Sequence, residues 1–160
     1  MLRVGGAILI LLASVALARA HSAVEQKKLS VCEGVVGFVR FVREQVACFH
    51  TPTGEIYCSF FHRELEDCGF LPMLRERGLE AAVGKLEELK LLSQEEQRAL
   101  RGFAAMLGKG QTEGQVRLCD YTERMLAESL KKRREETPRA TRVFGTLSVT
   151  GGLMLIILLL

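Results

Sequence analysis

Ser93-Gln94-Glu95-Glu96-Gln97-Arg98-Ala99-Leu100-Arg101-Gly102-Phe103-Ala104-Ala105-Met106-Leu107 is the stretch that decides the fold class. A serine followed three residues later by glutamate forms a capping box. The hydroxyl accepts from the N3 amide, and the carboxylate reaches back to the serine N–H. Ala99, Leu100, Phe103, Met106 and Leu107 follow at helical spacing, and Gly108-Lys109-Gly110 ends the run.

Upstream, Leu79, Ala82, Val83, Leu86 and Leu89 form a second helical stripe, with Pro72 placed for a first turn. Downstream, Val116 to Arg134 carries Leu118, Tyr121, Met125, Leu126 and Leu130, and Pro138 is expected to close it. Cys32, Val35, Val36, Val39, Val42 and Val46 also fit a helix, although Val36 to Val42 is rich in β-branched residues. Ala47-Cys48-Phe49-His50 and Glu55-Ile56-Tyr57-Cys58 flank Thr51-Pro52-Thr53-Gly54. That flanking predicts a helix corner, with a short β-hairpin near 47–58 as the alternative. The expected fold is all-α: a four- to five-helix bundle with helices near 24–48 and 57–68, stabilised by disulfides.

The two ends differ from the middle. Met1-Leu2-Arg3, the apolar run Val4 to Ala18 and the small residues of Ala18-Arg19-Ala20 fit a secretory signal over residues 1–20. Residues 139–160 end in Leu153 to Leu160, which hold no polar side chain. The eighteen residues from Val143 reach about 27 Å as a helix, just short of a bilayer core. With no cytoplasmic cations after it, this tail reads as a glycolipid (GPI) attachment signal with Ala140 as the attachment residue, or else as a short membrane anchor. Residues 21–138 would then be a helical ectodomain.

Arg3, Arg19 and Arg142 lie in the end segments, so residues 21–140 have a formal net charge of zero although the chain carries +3. Lys131-Lys132-Arg133-Arg134 is bracketed by Glu128, Glu135 and Glu136 and reads as a solvated helix end. No basic face suggests a nucleic-acid partner. With a secretory signal, Cys32, Cys48, Cys58, Cys68 and Cys119 read as a disulfide framework. Cys32 and Cys48 lie about 24 Å apart on one helix and cannot pair, which leaves Cys48 with Cys58 as the best pair. Cys68 or Cys119 could then reach Cys32, and the odd thiol could link two copies.

The run Cys48-x9-Cys58-x9-Cys68 is similar to the CX9C proteins, which implies metal or redox handling. Its cysteines are serial, however, and Thr51 to Gly54 interrupts the first interval. Cys32-Glu33-Gly34-Val35-Val36 opening an amphipathic helix resembles a saposin-like domain in style, which implies a lipid or small ligand; the five cysteines depart from the six of that pattern. His21, His50 and His62 are weak metal candidates, because no Cys-x2-Cys or His-Glu-x-x-His spacing accompanies them. No nucleophile elbow, paired-carboxylate context or phosphate loop is present. Glu87-Glu88 and Glu95-Glu96 read as wet helix faces.

These features lead to an expected non-enzymatic, cofactor-free adhesion or binding module. It would reach the outer face of the plasma membrane by the secretory pathway and be held there by its tail or a glycolipid. Its ligand would be an unknown protein or lipid.

Overall fold

Val31, Cys32, Val35, Phe38, Val39 and Val42 recur at helical spacing and are buried along one side of α1 (Leu2–Glu44). The structure is a computed structural model that describes the backbone of residues 2–49 and 51–159. The described side chains exclude those of residues 2–11, 139–142, 144, 148–149, 152–153, 155–156 and 158–159. After α1 come a π-helical segment (Gln45–Phe49), α2 (Thr53–Ser59), α3 (Arg63–Asp67), α4 (Phe70–Arg77), α5 (Leu79–Glu88), α6 (Gln94–Met106) and α7 (Thr112–Leu159). The described residues therefore contain eight helical segments and no strand. The all-α expectation holds, but the count of four or five helices does not.

The chain divides into two units. One comprises Met1–Gln26 and Arg133–Leu160. On it, Leu12, Val15, Leu17, Val143, Leu147, Met154 and Ile157 are exposed. The other comprises Lys27–Lys132 and holds the buried core. In that core Phe38 meets Phe60 and Phe70 edge-on, at centroid distances of 5.3 and 5.7 Å. Arg40 pairs with Glu123 at 2.8 Å and Arg43 pairs with Asp120, tying α1 to α7 within this unit.

The corner at 47–58 is helical, not a hairpin. The Thr51 N–H donates to the Gln45 carbonyl at 3.3 Å, and its hydroxyl donates to the Gln45 side chain at 3.0 Å. Pro52, with φ preset at −59°, then starts α2, and Ile56 enters the core. Pro138 does not close α7 but lies inside it. A long helix can absorb one missing N–H bond.

No disulfide forms. All five cysteines are free thiols, with Cys48 and Cys58 exposed and Cys32, Cys68 and Cys119 buried. Each of two buried thiols has a local acceptor instead: Cys32 donates to Glu96 Oε1 and Cys68 to the Leu65 carbonyl, both at 3.5 Å. Burial also stands in for cross-linking, because the unit between Lys27 and Lys132 fills its interior with aliphatic and aromatic side chains.

Candidate functional site

The α6–α7 hairpin is fixed at both ends. At the start of α6 the Ser93 hydroxyl accepts from the Glu96 N–H at 3.3 Å, and Glu96 Oε2 accepts from the Ser93 N–H at 2.6 Å. The capping box is formed as the sequence implies. Glu96 is not on a wet face, however; its carboxylate is buried. Its Oε1 accepts from the Ser129 hydroxyl of α7 at 2.6 Å and faces the Cys32 thiol of α1. One carboxylate thus joins three helices, and its hydrogen bonds offset the cost of burying it.

At the other end the buried amide of Gln115 staples the loop. Its oxygen accepts from the Gly108 N–H at 2.9 Å, and its nitrogen donates to the Met106 and Lys109 carbonyls at 3.2 and 2.7 Å. Gly108 itself has φ of 79°, a left-handed conformation that favours glycine.

Between these ends lies an open groove of about 520 Å³ lined by Ala99, Gly102, Phe103, Met106, Tyr121 and Met125, among others. It continues into a smaller hollow of about 210 Å³ beside Glu95, Glu96, Glu128, Ser129 and Lys132. Tyr121 is 62% exposed, Met106 54% and Met125 39%. The sequence stripes counted these three as core. Two parallel stripes run along each helix instead. On α6 and its C-cap, Leu100, Phe103 and Leu107 are buried, while Ala99, Gly102 and Met106 come one position earlier and line the groove. On α7, Cys119, Thr122 and Leu126 are buried, while Leu118, Tyr121 and Met125 lie beside them. An apolar face wider than one stripe was the available signal.

The residues singled out by sequence are not gathered at this groove. Cys32 and Cys119 are buried in α1 and α7, Cys68 caps α3, and Cys48 and Cys58 are exposed on the π-helical segment and α2. Burial, reinforced by the neighbouring Asp120 carboxylate, pushes the Cys119 thiol up to about 11, and burial also raises Cys68. Both are therefore poor nucleophiles. His21 lies in α1, His62 N-caps α3 with Nδ1 3.5 Å from Glu64 Oε2, and His50 lies outside the described residues. Among the described residues no group of three or more His, Cys, Asp or Glu could hold a metal ion. Ala140 lies within α7.

The fold and the groove define a helical-hairpin protein with an unfilled apolar face. Residues 75–160 match the family of Stage III sporulation protein AB. The chain belongs to that family. No curated protein and no solved structure matches it.

The match overturns several expectations. A sporulation family does not fit a cell-surface adhesion module, nor delivery through the secretory pathway to the outer face of the plasma membrane. The match runs through residue 160 and so includes the apolar tail, and a sporulation family does not fit a GPI anchor. The CX9C and saposin-like resemblances give way to the same finding. Among the described residues no helix is long and apolar enough to cross a membrane.

Proposed function

We propose that this chain is a non-enzymatic component of the third stage of sporulation, associated with a membrane through the apolar faces of its Met1–Gln26 and Arg133–Leu160 unit. The family match over 75–160 carries this reading. The membrane part is supported by Leu12, Leu17, Val143, Leu147, Met154 and Ile157, large apolar side chains left exposed within one unit. The non-catalytic part rests on the chemistry available: the buried carboxylate of Glu96 is committed to hydrogen bonds, and burial pushes the thiols of Cys68 and Cys119 up, away from reactivity.

The test is complementation. In a spore-forming host lacking its own Stage III sporulation protein AB, the intact chain should restore heat-resistant spores and co-sediment with membranes. Leu147→Glu combined with Met154→Glu should release the chain into the soluble fraction and abolish rescue. Full rescue by that soluble double variant would overturn the membrane assignment, and no rescue by the well-expressed intact chain would overturn the sporulation role.

A further inference from the structure

The unit formed by Met1–Gln26 and Arg133–Leu160 carries the whole net charge of the chain. Its cations are Arg3, Arg19, Arg133, Arg134, Arg139 and Arg142, and its acids are Glu25, Glu135 and Glu136, an excess of +3. The Lys27–Lys132 unit holds sixteen charges of each sign and is formally neutral. An ion pair inside the terminal unit removes one charge of each sign, so pairing leaves the excess unchanged. The unit with the exposed apolar side chains is therefore also the basic one.

The charges are not spread evenly along it. α1 leaves this unit at Gln26 and α7 enters it at Arg133. Arg19 lies seven residues before the first point, and Arg139 and Arg142 lie six and nine residues after the second. At 1.5 Å per residue these three positions are about 9–14 Å along their helices from those points. Beyond them come residues 4–18 and 143–160, and neither run holds a charged side chain. Arg3 is the one cation past the first run. On α1, Leu12, Val15 and Arg19 follow at helical spacing and all are exposed. On α7, Val143, Leu147, Met154 and Ile157 form one exposed stripe, and Arg139 precedes Val143 by one turn. Each helix thus passes from arginine to apolar side chains in the direction away from Gln26 and Arg133.

A cationic level followed by an apolar one matches a bilayer leaflet, where headgroup phosphates overlie acyl chains. Cations at such a surface gain from the negative potential of anionic lipids, and a zwitterionic surface offers no net attraction. Arginine suits phosphate in particular, because its guanidinium donates two parallel hydrogen bonds and is weakly hydrated.

We infer that the terminal unit selects an anionic bilayer, with Arg19, Arg139 and Arg142 at the level of the lipid phosphates and the apolar side chains beyond them among the acyl chains. This rests on the membrane association proposed above and adds the chemistry of the membrane.

Flotation of the intact chain with lipid vesicles, after dilution from detergent, tests it. Phosphatidylcholine vesicles containing about one-third phosphatidylglycerol should bind roughly a hundredfold more tightly than phosphatidylcholine alone. Raising the salt from about 0.1 M to about 0.5 M should reverse most of that gain. The variant R19Q/R139Q/R142Q brings the formal charge of the unit to zero and should abolish the preference, at about fivefold per cation. R19K/R139K/R142K should keep most of it. Glu135→Gln and Glu136→Gln should each strengthen anionic binding by about fivefold.

Equal binding to the two kinds of vesicle, indifference to salt, or a preference that survives the glutamine variant overturns the inference and leaves membrane association standing. A lysine variant as weak as the glutamine one also overturns it, because charge would then not be the cause. Binding to neither vesicle overturns membrane association itself, and this inference with it. The lipid and salt comparisons use the unaltered chain, so they decide the matter even where a variant unfolds.

Discussion

At the scale of the residue, close contacts and burial decide which positions tolerate change. A Cβ on Gly34 would lie 2.7 Å from His62 Nδ1 and 2.9 Å from Leu65 Cγ, so α1 comes close to the start of α3 only because that position is bare. Gly34→Ala should therefore destabilise the chain by about 1–3 kcal/mol in denaturant unfolding, the usual cost of overpacking. The cysteines sort in the same way. A thiol reagent should label Cys48 and Cys58 rapidly in the native chain, and Cys32, Cys68 and Cys119 only on unfolding. Labelling of all five at one rate would contradict the buried positions. Cys119 also sets a pH dependence. Its folded pKa is raised, so the unfolded chain loses the proton first, near 9, while the native thiol holds it to about 11. Its contribution to stability is complete below pH 9 and declines between pH 9 and 11. Cys119→Ala should flatten that alkaline decline in melting temperature.

At the scale of the element, the legible parts were those with local punctuation. The serine–glutamate box fixed α6 to within a residue, and the Leu79 stripe located α5, because caps and periodicity are properties of neighbouring residues. The long helices were harder to read. α1 extends well upstream of the helix expected near 24–48, and α7 continues through Pro138, because nothing local says whether a helix passes a boundary. The groove was hidden for a related reason: Met106, Tyr121 and Met125 look like core until the three-dimensional neighbour is known. The disulfide framework failed on a different ground, since it followed from an assumed compartment and not from the spacing of the cysteines. Two experiments address the elements directly. Ser93→Ala should cost about 1 kcal/mol, an ordinary N-cap loss. Glu96→Ala should cost about 2 kcal/mol or more, because it also strands the Ser129 hydroxyl and the Ser93 N–H. Equal effects of the two variants would mean that Glu96 acts only within its own cap.

At the scale of the whole molecule, stability rests on the filled interior of the Lys27–Lys132 unit without covalent help. Melting temperatures with and without a phosphine reductant should coincide; a drop on reduction would reveal a cross-link. The π-helical segment Gln45–Phe49 has a consequence for how such a chain can vary in length. A residue gained or lost within a regular helix rotates everything after it by about 100°. Between Val31 and Val42 that would carry the core side chains out of the interior. A wide turn already accommodates an irregular step in the helical count. Gln45–Phe49 therefore works as a slack joint, where relatives could lengthen or shorten by one residue while the phase of the valines before it and the placement of Ile56 after it stay the same.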